Sequence, residues 1–374
     1  MRRLLFLTCA IVLADTVFYG VLVPLVPYFS DEFGLTKGEV GILNGAMGIG
    51  IILGSVPGAY LTSRLGVKGT AILGLLLLVA TSLPFGFVGE YWMLVALRLG
   101  EGFASALSWI SAFTWIFALA PEEHRGQMLG TLISAAVVGA LIGPALGGAA
   151  GAVGIAPVFI AVALLGLGVA FWTLLTPAPT SNDNLLNLRS LGAVFHPRLA
   201  TGLWLITLSP ILFSALAVLS PLELSRLGWG TAAIGVVFLL GAAAEATIHP
   251  LAGRWSDRAG YRPPILTALL ISFVILVSLP WAANPYVLGL MVVSAAVFFN
   301  FPLAPGTALF TDGTEKSGIE PAVAFAATNF FWASGYAVGA PLGGFLADLG
   351  GDALAYLFLA PVCLLSLFLV RKAI

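Results

Sequence analysis

Twelve apolar stretches, each about as long as a membrane is thick, follow one another along the chain. They lie at residues 4–29, 38–61, 69–88, 91–118, 126–149, 153–176, 199–222, 231–252, 263–283, 286–309, 321–346 and 351–371. A helix needs roughly 20 mainly apolar residues to cross a bilayer. The stretches are too long for the strands of a membrane barrel, and they lack the alternation of such strands. The sequence therefore predicts an all-α membrane protein with twelve transmembrane helices.

The composition excludes a water-soluble globule and several classes of site. Of the residues, 60% are hydrophobic and 9% are charged, whereas a soluble domain averages about 25% charged residues. No basic patch with interleaved aromatic residues is present, so we expect no nucleic-acid partner. No Cys and His cluster has metal-ligand spacing, and no Gly-x-x-x-x-Gly-Lys-Ser/Thr loop is present. We expect no metal, no cofactor and no enzyme active site.

The distribution of Lys and Arg predicts the orientation in the membrane. With a cytoplasmic amino terminus, Lys37 and Arg226 fall outside and Arg98 falls within a span. The other thirteen basic residues lie on the inside: Arg2, Arg3, Arg64, Lys68, Arg125, Arg189, Arg198, Arg254, Arg258, Arg262, Lys316, Arg371 and Lys372. Both termini are therefore predicted to be cytoplasmic. The short loops are typical of prokaryotic proteins, so we expect a multi-pass protein of the plasma (inner) membrane.

Short patterns recur about 195 residues apart and indicate an internal duplication. "AYLTSRLGVK" (59–68) is matched by "GRWSDRAGYR" (253–262), and "GALIGPALGG" (139–148) by "GYAVGAPLGG" (335–344). The order and the offset are both preserved. Two repeated halves suit a transporter whose substrate site lies where the halves meet.

The duplication predicts two pseudo-symmetric six-helix bundles. The first covers residues 1–176 and the second covers residues 199–374. Between them, residues 177–198 form the longest stretch that is not apolar, which we interpret as a cytoplasmic linker.

The "GALIGPALGG" stretch is unusual inside a membrane span. Gly139, Gly143 and Gly147 fall one helical turn apart, which makes a smooth stripe where another backbone can approach. Pro144 adds a kink that neighbouring helices can tolerate. The whole packing motif comprises Gly139, Gly143, Pro144, Gly147 and Gly148, and it is echoed by Gly339, Pro341 and Gly343.

We expect spans five and eleven to be related interface helices about which the halves rock. A bulky residue at position 143 should then block exchange between states without preventing folding. The alternative is tight structural packing alone.

Four ionisable residues within predicted spans are candidates for proton coupling or substrate binding, because charges in a membrane are costly and are commonly functional. They are Asp15 in span one, Arg98 and Glu101 in span four and Glu245 in span eight. Arg98 and Glu101 are three residues apart and share a helix face. They either form a neutralising structural pair or tune proton binding at Glu101 or Asp15. Asp15 either binds a proton or cation or is a packed, hydrogen-bonded carboxyl.

Aromatic and amide side chains of the spans are candidates for lining a substrate cavity, since an aromatic wall beside a carboxylate suits a lipophilic cation. The candidates are Tyr19, Asn44, Trp109, Phe299, Asn300, Asn329 and Trp332. The alternative is that the aromatic residues face lipid or pack between helices.

The loop motifs carry a resemblance to a known family. The loop after span eight has the Gly-x-x-x-Asp-Arg-x-Gly-x-Arg motif of the major facilitator superfamily, at Gly253, Asp257, Arg258, Gly260 and Arg262. The loop after span two keeps Arg64, Gly66 and Lys68 but has Ala59 and Ser63 in place of the Gly and the Asp. An Asp here can accept from helix N-terminal N–H groups and pair with Arg, which would latch one state. We expect gating by these loops, weaker in the first half; the alternative is a turn that only fixes topology.

The resemblance extends over the whole chain. The span-five motif is complete, and Arg98 with Gly102 resembles the family's span-four motif, with Glu101 where Gln is common. In this superfamily the span-five motif is associated with proton-coupled exporters, notably twelve-helix drug:proton antiporters. Asp15 followed by Pro24 and Pro27 is similar to span one of exporters of cationic drugs and amines.

The resemblance implies a secondary active transporter with the major facilitator fold. It would export small lipophilic or cationic, amine-type molecules by alternating access in exchange for protons, acting as a monomer in the lipid bilayer. The alternatives are an effluxer or facilitator of sugars or other neutral metabolites, a lipid-handling carrier, and a membrane sensor of the same fold that does not transport. A sugar carrier would use amides and indoles and would not need Asp15.

Overall fold

The computed structural model describes residues 2–119, 122–177, 199–319 and 321–373. In this part of the chain the regular structure is helical throughout, with no strand. The helices are α1 (Arg2–Val21), α2 (Val26–Phe33), α3 (Lys37–Ser82), α4 (Tyr91–Leu119), α5 (Glu122–Val153), α6 (Ile155–Leu175), α7 (Ala200–Arg226), α8 (Thr231–Ala259), α9 (Arg262–Ser278), α10 (Pro285–Asn300), α11 (Leu303–Lys316) and α12 (Pro321–Ala373). Short 3-10 segments lie at Val23–Leu25, Leu83–Gly86 and Leu279–Trp281.

Two of these helices are much longer than a bilayer is thick, and both bend at glycine. The helix α3 has 46 residues and α12 has 53. At 1.5 Å per residue each would measure about 70–80 Å if straight, against roughly 30 Å of hydrocarbon. They turn at Gly66 (φ 72°, ψ 167°) and Gly351 (φ 74°, ψ 174°). Glycine adopts this positive φ without steric cost, because it lacks a Cβ.

The bends reconcile the helices with the predicted spans. In the described residues, ten helical runs are long and apolar enough to cross a membrane. The two longest, Lys37–Gly86 and Val323–Arg371, contain the bends, so each supplies two crossings. The prediction of twelve transmembrane helices is confirmed. The first span differs in detail: α1 ends at Val21, and Pro24 lies in a 3-10 segment because proline lacks the N–H that would continue the helix.

Glycines with positive φ repeat the same backbone turn in both halves of the chain. Gly34 (φ 60°) and Gly228 (φ 91°) are 194 residues apart, as are Gly66 (72°) and Gly260 (78°). Gly154 (87°) and Gly351 (74°) are 197 residues apart. Three turns in the same order at nearly the same offset support the internal duplication, independently of side-chain similarity.

Contacts between Cα atoms group the chain into two compact units. Unit 1 comprises Met1–Leu25 and Ala46–Leu186, and unit 2 comprises Val26–Gly45 and Asn187–Ile374. The assignment of Val26–Gly45 to unit 2 is a feature of the tertiary structure that the sequence did not suggest. Of the predicted linker 177–198, all but the first residue lies outside the described part, and the division at this linker stays a prediction. Arg189 and Arg198 also lie there, and the side chains of Arg2, Arg125 and Lys372 are not described either.

In unit 1 the glycines of span five let α5 lie directly on α1. A Cβ added at Gly143 would lie 2.7 Å from the Cα of Gly20 and 2.9 Å from the carbonyl oxygen of Val17. Gly139 faces Thr16, and Gly147 faces the carbonyl of Val21. The buried Pro144 also meets Gly20, and Gly148 is buried. The two backbones are therefore too close for any side chain at the centre of the contact.

In unit 2 the echoed stretch has the same function. Gly339 of α12 faces the backbone of Ile211 on α7, and a Cβ there would lie 2.5 Å from the Ile211 Cα. Gly343 faces Ala215 of the same helix, with the corresponding Cβ 2.8 Å from the Ala215 Cβ. These contacts, like those of α5, lie inside one unit. The glycine stripes therefore pack helices within each unit, and the expectation that the two halves rock about spans five and eleven stays a prediction.

Candidate functional site

One face of α4 carries four polar side chains that point toward α1. Arg98, Glu101, Ser105 and Trp109 are spaced by three or four residues, which places them on one side of a helix. The first three are at most 3% exposed. Across from them, Asp15 of α1 is 2% exposed. The site is thus built by two helices of unit 1, with the carboxylate on one and its donors on the other.

Asp15 is held through one of its two carboxyl oxygens. Ser105 Oγ donates a hydrogen bond to Asp15 Oδ2 at 2.9 Å, and Trp109 Nε1 donates to the same oxygen at 2.7 Å. Among the described residues, no donor reaches Oδ1, which is also buried. A buried acceptor without a partner costs about 1–3 kcal/mol. The geometry leaves Oδ1 able to take a proton or a hydrogen-bond donor from a ligand.

Arg98 and Glu101 neutralise each other within α4. Arg98 Nη1 donates to both carboxyl oxygens of Glu101, at 2.9 and 2.8 Å, and both side chains are almost fully buried. The Arg98 guanidinium also lies over the Tyr19 ring, 5.9 Å from its centroid. Because both oxygens of Glu101 are occupied by one cation, Asp15 is the carboxyl of this site with an unused oxygen.

Unit 2 contains a second intramembrane carboxylate, in a more open setting. Asn300 Nδ2 of α10 donates to Glu245 Oε2 at 3.2 Å, and the same amide nitrogen donates to the carbonyl of Ala296. His249, one turn after Glu245 on α8, has Nε2 3.7 Å from Glu245 Oε1. The side chain of Glu245 is 27% exposed. Glu245 therefore combines an amide donor and an imidazole with access from outside the packed core.

The predicted lining residues fall into different settings. Trp109 is partly buried, donates to Asp15 and stacks on Phe113 with the centroids 5.8 Å apart. Asn44 and Phe299 have no exposed surface in this structure, and their role as lining residues stays a prediction. The amide nitrogen of Asn44 donates to the Val40 carbonyl within α3, whereas no described donor reaches its buried Oδ1.

Asn329 and Trp332 are partly exposed on α12. Trp332 stacks on Tyr336 at 5.5 Å between ring centroids, with the planes 15° apart. Stacking fixes the indole plane, and its partial exposure leaves a surface that a ligand could contact.

The two loop motifs have the same backbone but different surroundings. Gly66 and Gly260 turn the chain in the same way, and Arg64, Arg258 and Arg262 are exposed. Arg64 lies over the Tyr60 ring at 5.5 Å. Lys68 Nζ donates to the Leu174 carbonyl at 2.7 Å, which ties this loop to the end of α6.

The second loop is tied by a neighbouring residue that the sequence did not single out. Tyr261 donates its hydroxyl hydrogen to Asp312 Oδ2 at 2.6 Å, which joins the loop to α11. A Cβ added at Gly253 would have no atom of the described residues within 4 Å. The side chain of Asp257 lies outside the described residues, so its role as a gating carboxylate stays a prediction.

Two groups of residues were missed by reasoning from the sequence. Ser105 is a donor to Asp15, and its spacing of four from Glu101 and Trp109 was the available signal. Lys37 meets Asp348 and Asp352 in unit 2, although it is more than 300 residues from either in the chain, and no local pattern indicates such a contact. Among the described residues, no group of three or more His, Cys, Asp or Glu side chains could hold a metal ion.

Comparison with known proteins identifies the family. The model of the Major Facilitator Superfamily matches residues 5–330 of this 374-residue chain. The chain belongs to the major facilitator superfamily. It is therefore a multi-pass membrane transporter with the major facilitator fold, and its substrate is a small molecule.

Relatives within the major facilitator superfamily are distant in sequence. A "Probable sugar efflux transporter" of Pasteurella multocida (strain Pm70) is 25% identical over 208 residues, which is 54% of this chain and 51% of that protein. The match thus spans about half the length of that relative. The "Uncharacterized MFS-type transporter YcaD" of Escherichia fergusonii is 24% identical over 307 residues, covering 80% of this chain and 76% of the relative.

Solved structures of superfamily members share the fold. A D-xylose-proton symporter aligns with a TM-score of 0.80 at 16% identity, covering 100% of this chain and 97% of its own. A bacterial homologue of the human lysosomal transporter Spinster, in an inward-facing occupied conformation, also has a TM-score of 0.80, at 15% identity, with 99% and 96% covered. At these identities the likeness is evidence for the fold alone.

Proposed function

We propose that this transporter exports small lipophilic or amine-type molecules in exchange for protons, with Asp15 as the group that the proton and the substrate bind in turn. The observation that carries the proposal is the buried Oδ1 of Asp15, which has no hydrogen-bond partner among the described residues. A carboxyl group in hydrocarbon is costly when charged, and a bound proton or ammonium group removes that cost. Ser105 and Trp109 hold the other oxygen, so the carboxyl is oriented before either ligand arrives.

Competition at one carboxylate is sufficient for exchange. Protonation neutralises Asp15 and favours the conformation in which a neutral group is buried. Arrival of a cationic substrate requires the proton to leave, so the two fluxes run in opposite directions. Glu245 provides a second carboxylate of this kind in unit 2, while the Arg98–Glu101 pair keeps the remaining charge around Asp15 balanced. Alternating access then couples the two gradients without a nucleotide.

The direction of transport follows from the proposed orientation. The thirteen basic residues that we predict to be cytoplasmic support an orientation with both termini on the cytoplasmic side of the plasma membrane. Protons that enter down their gradient would then drive substrate out. The complete span-five motif, with its resemblance to those of proton-coupled exporters, supports the same direction.

Reconstituted vesicles test the proposal without any change in sequence. The purified protein is placed in proteoliposomes with an imposed pH gradient, and a lipophilic cationic dye and a neutral sugar are offered as competing substrates. We expect the dye to move in the direction opposite to the flow of protons. This dye flux should stop when a protonophore removes the pH gradient, and the sugar should not reduce it. Dye flux that ignores the pH gradient would overturn the exchange mechanism.

A sugar effluxer is the second candidate, because the Pasteurella multocida relative is named as one. In that case the indole of Trp109 and the amide of Asn300 would contact hydroxyl groups of the substrate. The same vesicles distinguish the sugar effluxer from the proton-coupled exporter. A sugar effluxer would transport the sugar, and excess sugar, but not the dye, would reduce that sugar flux.

The Trp109 hydrogen bond provides a graded test of how Asp15 is oriented. Trp109→Phe keeps an aromatic ring but removes the donor to Asp15 Oδ2, leaving Ser105 alone. Hydrogen bonds to charged groups contribute about 1.5–3 kcal/mol, so the initial rate of dye transport should fall roughly tenfold or more. Trp92→Phe is the matched control, because Trp92 lies on the same helix and is 65% exposed. Equal rates in both variants would show that the indole does not orient Asp15.

A further inference from the structure

The segment Val26–Gly45, which we name the strap, lies between two parts of unit 1 in sequence but belongs to unit 2 by its contacts. It contains α2 and the first turns of α3, and α2 packs against α7. The helix α3 continues without interruption from the strap into unit 1 until the bend at Gly66. The strap is therefore continuous in the chain with one unit and packed within the other.

The strap is fastened by charged groups at the start of α3. The backbone N–H of Lys37 donates to Asp348 Oδ1 at 3.0 Å, and that of Gly38 donates to Asp348 Oδ2 at 2.8 Å. N–H groups in the first turn have no acceptor within their helix, and a carboxylate is favoured at that end of the helix dipole. Lys37 Nζ donates to Asp352 Oδ1 at 2.5 Å, as a second and independent link.

Glycines allow the strap to lie flat on α12. A Cβ added at Gly41 would lie 2.5 Å from the Ala340 carbonyl oxygen, and one at Gly45 would lie 2.8 Å from the ring of Pro341. Gly344 of α12 in turn faces the Lys37 carbonyl. Close approach without interlocking side chains makes a surface that can separate as well as dock. The echoed "GYAVGAPLGG" stretch thus serves two helices, α7 and the strap.

The charged links are only partly covered by protein. The side chain of Lys37 is 32% exposed and that of Asp352 is 16% exposed. Ion pairs open to solvent are individually weak, which suits a contact that must be broken and remade. The contact of α7 with α12 is of another kind, since Trp204 Nε1 donates a neutral hydrogen bond to Ser366 Oγ at 2.8 Å there.

The duplicated half lacks the charged groups of the strap. The matched helices α3 and α8 begin 194 residues apart, so Lys37 corresponds to Thr231. The bends at Gly154 and Gly351 are 197 residues apart, so Asp348 corresponds to Gly151 and Asp352 to Ile155. Packing inherited from the duplication would keep similar residues in both copies. All three charged positions differ, so the fastening is specific to one side of the pseudo-symmetry.

We propose that Lys37, Asp348 and Asp352 form a reversible latch that holds the strap on unit 2 in one state of the transport cycle and releases it in another. Because α3 is continuous, release at the latch is transmitted along the helix into unit 1. The latch requires neither Asp15 nor a particular substrate. It is therefore independent of the proposed proton exchange.

Cysteine accessibility tests the latch without any substrate. The two native cysteines, Cys9 and Cys363, are replaced by serine and alanine. Val40, which is 1% exposed in the strap, becomes the single reporter as Val40→Cys. A membrane-impermeant maleimide is applied to right-side-out and to inverted vesicles. Asp348→Asn and Asp352→Asn should each raise the labelling rate of Val40→Cys about tenfold, because each weakens one charge-assisted hydrogen bond. The increase should occur in only one of the two vesicle types.

A charge exchange and a surface control make the result specific. The double variant Lys37→Asp with Asp352→Lys keeps an opposite pair and should return labelling toward the parent rate, whereas Lys37→Asp alone should not. Asp31→Asn, which removes an exposed carboxylate of the same strap, should leave the rate unchanged. Unchanged labelling in both Asp348→Asn and Asp352→Asn, or failure of the exchanged pair to restore slow labelling, would refute the latch.

Discussion

Asp15→Asn is expected to abolish dye transport driven by a pH gradient. The amide keeps the size of the carboxyl and can still accept from Ser105 and Trp109 through its oxygen. It cannot take up and release a proton, and it offers no negative charge to an ammonium group. Loss of a buried ionic contact costs about 3–5 kcal/mol. Coupled flux should therefore fall by two orders of magnitude or more.

Three measurements separate this effect from misfolding. The variant should be monodisperse in detergent with the parent's melting midpoint, since removing a buried charge does not create a cavity. Downhill equilibration of a neutral lipophilic compound should persist. Glu90→Gln is the matched control, because Glu90 is an exposed carboxylate in the same unit, and its flux should equal that of the parent. Full pH-driven flux in Asp15→Asn would remove Asp15 from the mechanism.

Gly143→Ala is expected to destabilise unit 1, although it adds only one methyl group. The added Cβ would lie 2.7 Å from the Gly20 Cα, and backbone atoms cannot move aside as a flexible side chain can. Overpacking of this kind costs about 1–3 kcal/mol. The sequence suggested a hinge between halves, at which a bulky residue would block motion without preventing folding. The structure places the contact between α1 and α5, so stability should fall first.

The same helix provides the control for this substitution. A methyl group added at Gly130 of α5 would have no atom of the described residues within 4 Å. Gly130→Ala should be neutral or stabilise the helix by up to about 1 kcal/mol, the difference in helix propensity. Thermal unfolding in detergent, followed by circular dichroism, should give a lower midpoint for Gly143→Ala and an equal or higher one for Gly130→Ala. Equal midpoints would show that α1 and α5 can separate at no cost.

Much of the architecture was predictable because membrane spans are a local property. Each stretch of about 20 apolar residues must become a helix, since hydrocarbon offers its backbone no other hydrogen-bond partner. Repeated motifs placed Gly66 and Gly260 in corresponding turns, and both adopt the same positive φ. The candidate carboxylates were also visible, because ionisable residues are rare in such stretches. The functions assigned to Asp15, Glu245 and the loop motifs stay predictions.

The partners of those residues were not predictable. Asp15 and Ser105 are 90 residues apart, and Lys37 and Asp348 are 311 residues apart. Helical periodicity shows which residues share a face but not which face of another helix they meet. Phe299 and Asn44 illustrate the limit, since the sequence did not indicate that both would be fully buried.

The amino-acid order was sufficient to establish a helical membrane transporter with a duplicated backbone, because hydropathy, glycine conformation and repeated motifs all act within a few turns of the chain. The arrangement of the helices was needed to show that the glycine stripes pack α5 on α1 and α12 on α7. It was also needed to show that Asp15 has one bound and one unused oxygen, and that the strap is fastened to unit 2. These features depend on how closely distant helices approach. That distance is set by packing between helices, and no single stretch of sequence encodes it.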